Sequence, residues 1–253
     1  MVRQSLKNSK IGLNQDFRYR GEEQTRIETF SDAVFALAIT LLIFSSKVPD
    51  NFEELRGFLF EIIPFGLSMI LITYIWYEHY LYFIRFGFKS SRIVILNTAL
   101  LFSILLYVYP LKFLFKVLVS MYGSIFAKLF GIVFDSPPAF TTMISTKDAP
   151  ELMLIYGIGA AFIFLIIVLM YRYALSKTKE LGLNEIEIFD TKSSLQSAVI
   201  MSSIPVLSVL IVLIFGNFII GVMLSGFVYM LYPFIYWIWG RKRNKMRKSL
   251  VKK

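Results

Sequence analysis

Three side chains that could take part in chemistry, Asp32, His79 and Asn97, lie inside apolar stretches of this sequence. Polar and ionisable residues in membrane segments are costly, and they usually face protein or water. Each of the three lies five or six residues from a basic residue that bounds its stretch, which is roughly 8–9 Å along a helix. The three side chains are therefore expected at one depth.

This shared depth predicts a polar network between three helices. Its expected members are two residues of the first apolar helix and side chains of the next two: Ser31, Asp32, Trp76, His79 and Asn97. Arg26 is expected to neutralise charge nearby. The alternative is that His79 reaches the membrane interface and Trp76 belongs to an aromatic belt. The expected role of the network is to fix the first helix in place, and not to bind an ion directly.

The composition predicts an all-α integral membrane protein. Of 253 residues, 57% are hydrophobic and 17% are aromatic, the mean hydropathy is +0.65, and several runs approach the roughly 20 residues that cross a bilayer. The chain has no cysteine and one histidine, which excludes disulfides and multi-histidine metal sites. The net charge of +10 lies between apolar runs and at the ends, so membrane lipids are expected as partners and nucleic acid is not.

Apolar runs between charged breaks predict six transmembrane helices in a single channel domain spanning residues 1–253. The expected spans are 27–46, 60–84, 92–119, 151–173, 194–215 and 217–239. The first is the weakest by hydropathy. Most of the 27 lysines and arginines fall on the side that carries both termini, so the positive-inside rule makes both termini cytoplasmic.

Two segments outside these spans have distinctive compositions. The basic cytoplasmic tail, residues 240–253, is expected to bind anionic lipid headgroups. The outer connection, residues 120–150, is expected to be a prolonged helix end followed by a loop that prolines interrupt.

The first helix also carries an apolar stripe. Phe30, Val34, Leu37, Leu41 and Phe44 recur at alternating spacings of four and three, which places them on one face of a helix. Ordinary helix packing is one explanation, because small alanines on the same helix also suit close packing. Contact with lipid and contact with a column of water are the other two explanations of the stripe.

The motif Arg26-x-x-x-Phe30-Ser31-Asp32, followed by a helix rich in Ala, Ile, Leu and Thr, resembles the signature of the transmembrane protein 175 family of potassium channels. The pair Trp76 and His79 strengthens the likeness, as does a third helix that contains an asparagine and a proline. The likeness covers all six spans in layout, although only the first three carry distinctive residues. It implies a bacterial member with one six-helix unit.

The resemblance implies which residues form the pore. The first helices of the assembled subunits would line it, with Leu37, Leu41 and Phe44 as a hydrophobic filter and Thr40 as a selectivity element. Phe44 departs from the aliphatic residue expected there. Potassium would pass Leu37, Thr40 and Leu41 without a fixed metal site. The resemblance makes Arg26, Phe30, Ser31 and Asp32 a structural motif, which Trp76 and His79 would hold.

The resemblance also implies the assembly. Vertebrate relatives carry two such units and dimerise, so one unit per chain implies a homotetramer in the cell membrane. No Thr-Val-Gly-Tyr-Gly loop is present, so a carbonyl filter of that type is not expected. A secondary transporter and a non-conducting scaffold are the alternatives. An enzyme is not expected, because Asp32 and His79 lack a third catalytic group, and no cofactor is expected.

Overall fold

The computed structural model describes residues 16–21, 23–44, 48–131, 143–145 and 147–251. The regular structure within these ranges is helical, and strands do not occur in them. In chain order the helices are α1 Arg26–Phe44, α2 Phe52–Phe60, α3 Ile62–Phe86, α4 Ser91–Phe130, α5 Ala149–Ser176, α6 Glu185–Phe215, α7 Ile219–Phe227 and α8 Leu231–Val251.

Five helical segments in the described ranges are long and apolar enough to cross a membrane. They are Phe52–Phe86, Ser91–Met121, Ala149–Ser176, Glu185–Phe215 and Ile220–Val251. The first helix, α1, is not among them. It has 19 residues, and three of its first seven are charged.

The helices differ from the expected spans at several ends. Helix α4 has 40 residues and continues well past the expected end at 119, and α6 begins nine residues before the expected start at 194. A turn of 3-10 helix, Val228–Met230, separates α7 from α8, so the expected span 217–239 is divided. The expected basic tail is a continuation of α8 as far as Val251. Part of the expected outer loop, residues 132–142, lies outside the described residues.

The helices pack as two connected groups. Helix α1 packs against α3 and α4, α4 packs against α5, and the contact between α5 and α6 is the most extensive in the described chain. Helices α7 and α8 lie against α6. Between α4 and α5, the Tyr156 hydroxyl donates to the carbonyl oxygen of Pro110, a proline inside α4. The core therefore lies mainly where α3, α4, α5 and α1 meet.

An extended strap, residues 16–21, runs along the end of α3. The backbone N–H of Gly21 donates to the carbonyl oxygen of Ile84 at 3.0 Å. A Cβ atom at Gly21 would lie only 2.3 Å from the Phe83 carbonyl oxygen, so this approach requires glycine. Gly87 ends α3 with φ +60°, a left-handed conformation that also favours glycine. Phe17 of the strap is buried against Phe86.

Candidate functional site

The start of α1 is fixed by a reciprocal cap. The Glu28 backbone N–H donates to the Thr25 hydroxyl oxygen at 3.3 Å, and the Thr25 backbone N–H donates to Glu28 Oε1 at 3.0 Å. This arrangement is a capping box, which satisfies backbone donors that a helix start leaves unpaired. It orients the first turn, so the next polar residues of α1 begin from a defined position.

A buried hydrogen-bond chain joins α1, α4 and α3. The Asn97 amide nitrogen donates to Ser31 Oγ at 2.9 Å, and the Ser31 hydroxyl donates to the Ile27 carbonyl oxygen at 2.7 Å. His79 Nε2 and Asn97 Oδ1 are 2.7 Å apart. Because the amide oxygen of Asn97 only accepts, Nε2 is the donor. Ser31, His79 and Asn97 are at most 3% exposed, so each bond forms away from solvent.

The Asp32 carboxylate makes a second connection between α1 and α3. The Trp76 indole nitrogen donates to Asp32 Oδ1 at 2.9 Å. The Gln24 side chain, just before α1, donates to Asp32 Oδ2 at 3.1 Å. The structure therefore brings five of the expected network residues together as two separate sets. Asp32 pairs with Trp76, while Ser31 pairs with Asn97 and, through it, His79.

The other two motif residues lie away from these bonds. Arg26 and Phe30 are exposed in the single chain, and Phe30 is 63% exposed. No hydrogen bond or ion pair of the Arg26 side chain occurs in the described ranges. Neutralisation of the Asp32 charge by Arg26 stays a prediction.

The two faces of α1 differ sharply in burial. Ala38 and Leu42 on one face are fully buried against the neighbouring helices, whereas Leu37 is 49% exposed. Thr40 lies on the exposed face with Leu37, and Leu41 is half-buried at its edge. The Phe44 side chain lies outside the described part of the chain.

The exposed face is rotated slightly from the apolar stripe of the sequence. Val34, a member of that stripe, is buried in the core. Ala33 and Ala36 are exposed instead. The face that a single chain leaves uncovered is therefore a mixture of large and small apolar residues with one hydroxyl, that of Thr40.

The Thr40 hydroxyl is bonded to its own helix. It donates to the Ala36 carbonyl oxygen of its own helix at 2.8 Å. A hydroxyl has one donor and two lone pairs. Because its proton is held by the backbone, the lone pairs of Thr40 Oγ1 remain available on the exposed face.

The far end of α1 is held by a lysine. Lys112 Nζ of α4 lies 3.3 Å from the Leu42 carbonyl oxygen and 3.2 Å from Glu61 Oε2. A cation is favourable at the carboxyl end of a helix, where carbonyl oxygens have no partner in the helix. Lys116 pairs with the same Glu61 at 2.8 Å. Sequence analysis did not single out these residues, because each resembles an interfacial charge.

Glu187 is a second residue that the sequence analysis missed. Its fully buried carboxylate accepts side-chain hydrogen bonds from Arg18 and Arg20 of the strap. With Asn184 it forms a capping box at the start of α6. The Asn184 backbone N–H also donates to Glu187 Oε2 at 2.9 Å, so every partner of this buried carboxylate named here is a hydrogen-bond donor. The Asn-x-x-Glu spacing was the available signal.

Comparison with known proteins identifies the family of this chain. A family model described as the endosomal/lysosomal potassium channel TMEM175 matches residues 26–107. A protein of Marivirga tractuosa named "Potassium channel" is 47% identical over 243 residues, which cover 95% of this chain and 96% of the relative. The chain belongs to the TMEM175 family.

A solved structure has a similar fold. It is the crystal structure of a threonine-to-alanine variant of the potassium channel MtTMEM175 in complex with a nanobody–MBP fusion protein. The TM-score is 0.79 at 46% sequence identity, covering 93% of this chain and all of that one. With its five apolar helical segments, this member of the TMEM175 family is a multi-pass membrane protein. The matched residues 26–107 include α1, α3 and both hydrogen-bonded sets.

Proposed function

We propose that this chain forms a potassium-selective cation channel. Membership of the TMEM175 family and the 47% identical relative named a potassium channel support potassium as the ion that passes. The observation that supports a pore lined by α1 is the uncovered face of this helix. Leu37, Thr40 and Ile43 are exposed there, while the opposite face is packed against α3 and α4.

The uncovered face indicates assembly. One helix cannot enclose a pathway, and Phe30, Leu37 and Ile43 are 63%, 49% and 52% exposed. A homotetramer would turn four α1 helices towards a central axis, so that each chain covers this face of its neighbours. In this arrangement α1 is the sixth span, shielded from lipid by α3 and α4. Three charged residues near its start are then acceptable, because they face protein or water.

Both ends of the chain lie on the same side of the membrane in this proposal. An even number of spans requires it. The contact of Arg247 near the end of α8 with Asp16 of the strap, at 3.0 Å, supports it. Basic residues are concentrated at that end of the bundle, so the positive-inside rule assigns it to the cytoplasm.

Ion passage would depend on wetting of an apolar constriction. Rings of Leu37 and Leu41, with Phe44 as the outermost member, close by dewetting when narrow and conduct when water enters. Potassium sheds its hydration water more readily than sodium. Thr40 hydroxyl oxygens from four chains would replace part of the lost shell and so favour potassium.

Opening would require α1 to rotate or tilt. Leu41 is half-buried at the edge of the uncovered face, so a small rotation exchanges it with Leu37 or withdraws both. The hydrogen bonds of Ser31 and Asp32 limit this rotation, because they join α1 to α3 and α4 near its start. The structural motif therefore sets the resting position of the filter.

Reconstitution tests the function directly. Purified protein in liposomes should carry potassium faster than sodium and show a high unitary conductance with a linear current–voltage relation. A saturable flux that stays coupled to a second ion would identify a transporter. The absence of flux from tetramers that are properly inserted would identify a scaffold.

Thr40→Ala tests the selectivity element. We expect a weaker discrimination between potassium and sodium, measured as a shift in the bi-ionic reversal potential. Thr98→Ala is a matched control, because Thr98 is also exposed and its hydroxyl also bonds its own helix at 2.9 Å. If Thr40→Ala and Thr98→Ala both leave the reversal potential unchanged, Thr40 does not select ions.

Leu37→Ala tests the hydrophobic filter. A smaller side chain widens and wets the constriction, so unitary conductance should rise while potassium preference falls. Leu106→Ala removes an exposed leucine from α4 and should change neither quantity. Equal effects of the two substitutions would show that the uncovered face of α1 does not line the pathway.

A further inference from the structure

A half-open polar cavity lies apart from the uncovered face of α1, and its lining contains no described residue of α1. Its volume is about 490 Å³, and residues of α3, α6 and α8 line it. Three of its lining side chains are arginines and one is a glutamate: Arg85, Arg243, Arg247 and Glu78. None of these four has a role in the proposed pore.

Two of the arginines retain unused donors. Arg247 is engaged by carboxylates, because its guanidinium bonds Asp190 at 3.0 Å and Asp16 at 3.0 Å. Arg85 donates to Ser194 Oγ at 2.8 Å through Nη1. The Nε atoms of Arg85 and Arg243 are buried, and neither has a hydrogen-bond partner among the described residues.

Arg243 is held loosely by its neighbours. Arg243 Nη2 lies 4.0 Å from Asp190 Oδ1, beyond hydrogen-bond distance. Its guanidinium carbon lies 5.6 Å from the centre of the Trp239 ring, which keeps the group beside the cavity. Buried donors without partners cost free energy, so the cavity is suited to an acceptor that is absent from the chain itself.

The charge and shape of these groups favour a phosphate. A guanidinium presents its donors in a planar fork that matches phosphate oxygens in pairs. Arg85, Arg243 and Arg247 line the cavity together with one carboxylate, that of Glu78. Asp190 pairs with Arg247 beside the cavity, so a net positive charge remains, which suits an anion.

We propose that this cavity binds a phosphate group through Arg85 and Arg243. Tyr77, Leu81 and Trp239 also line it, so apolar and aromatic walls stand beside the basic groups at the end of a membrane-spanning segment. Basic pockets between transmembrane helices bind anionic lipid headgroups. A lipid headgroup and free phosphate share this chemistry, and binding measurements separate the two sources.

The experiment uses the purified full-length chain in a neutral detergent at about 0.15 M salt, where exposed charges more than about 8 Å apart are largely screened. Short-chain phosphatidylglycerol, short-chain phosphatidylcholine and inorganic phosphate are titrated in separate arms, with binding followed by the thermal unfolding midpoint and by calorimetry. Tighter binding of phosphatidylglycerol than of phosphatidylcholine is expected. Binding in the lipid arm alone assigns a headgroup, and equal binding of inorganic phosphate assigns the free anion.

Substitutions then locate the site. Arg243→Gln should weaken phosphatidylglycerol binding about tenfold, as expected for loss of a charge-assisted hydrogen bond. Arg241→Gln is the matched control on the same helix, because Arg241 stacks on Trp237 at 3.9 Å and does not line the cavity; it should change binding little. Glu78→Gln should tighten binding, because it removes the opposing carboxylate without changing side-chain size.

Two results would overturn the proposal. One is an equal loss of affinity in Arg243→Gln and Arg241→Gln, which would indicate general attraction to a basic surface. The other is the absence of binding in both the phosphatidylglycerol and the inorganic phosphate arms. If Arg243→Gln does not fold, the direction of the Glu78→Gln effect decides, since unchanged or weaker binding contradicts a phosphate beside Glu78. None of these outcomes depends on potassium flux.

Discussion

The two ends of α1 are held in different ways. Near its start, side chains of α1 make directional hydrogen bonds to α3 and α4, through the Trp76–Asp32 and Asn97–Ser31 pairs. Near its other end, Lys112 reaches the Leu42 carbonyl oxygen at 3.3 Å. The first attachment fixes the rotation of the helix, whereas a long, flexible lysine tolerates small movements.

This difference indicates where α1 can move. Leu37 lies midway between Asp32 and Leu42, and Thr40 lies closer to the looser attachment at Leu42. We therefore expect the start of α1 to serve as a pivot and its far end to shift. Substitutions at the start should change assembly or opening most, and substitutions at the far end should have smaller effects.

Asp32→Ala should have the largest effect. It removes the carboxylate that accepts from the partly buried Trp76 indole N–H, and a hydrogen bond to a charged group contributes about 1.5–3 kcal/mol. We expect fewer tetramers by size-exclusion chromatography, or an altered open probability in single-channel recordings, with an unchanged potassium-to-sodium reversal potential. Normal tetramers with an unchanged open probability would disprove this role for Asp32.

Two tryptophan substitutions test this attachment: Trp76→Phe removes its donor, and Trp239→Phe is the control. Trp76→Phe keeps the ring but removes the donor, so it should change open probability in the same direction as Asp32→Ala. The Trp239 indole also donates between helices, to Gln196 Oε1 at 3.2 Å, but away from α1. Trp239→Phe should leave gating unchanged.

Asn97→Ala should have the next largest effect, mainly on stability. It removes the amide that joins His79 to Ser31 and leaves buried polar groups unpaired, at a cost of about 2 kcal/mol. The thermal unfolding midpoint in detergent should fall. Ser103→Ala on the same helix is the control, because the buried Ser103 hydroxyl bonds only the Ala99 carbonyl oxygen; an equal fall in both variants would argue against the interhelical chain.

Lys112→Met should have the smallest effect of the three. It keeps most of the side-chain packing, and Lys116 still pairs with Glu61 at 2.8 Å, so the main loss is the hydrogen bond to the Leu42 carbonyl oxygen, about 1 kcal/mol. Open probability should change modestly. Lys116→Met removes the other partner of Glu61 without touching α1 and should not change it. A larger effect for Lys112→Met than for Asp32→Ala would reverse the comparison of the two ends.

The polar layer was predictable because polar residues in apolar stretches are rare and their depth follows from spacing. Spacing predicted that Asp32, His79 and Asn97 lie at one level, and the structure brings their helices together there. It did not predict which side chain bonds which. The split into two separate sets depends on helix rotation, which one sequence leaves undetermined by tens of degrees.

The charged contacts were harder to predict because their partners are distant in sequence. Arg18 and Arg20 bond Glu187, which lies more than 160 residues further along the chain. The same limit applies to Arg247 and Asp190. Interfacial charges look alike in sequence whether they meet lipid or protein. Only local signals, such as Thr25-x-x-Glu28, were available at these helix ends.

The length of α4 has a mechanical consequence. At 1.5 Å per residue, its 40 residues extend for about 60 Å, twice the thickness of the hydrocarbon layer. Part of this rod must therefore project into the aqueous phase, while its buried part carries Asn97 and Lys112, which touch both ends of α1. A single helix therefore connects both attachments of α1 to a segment outside the hydrocarbon layer, with Pro110 between Asn97 and that segment.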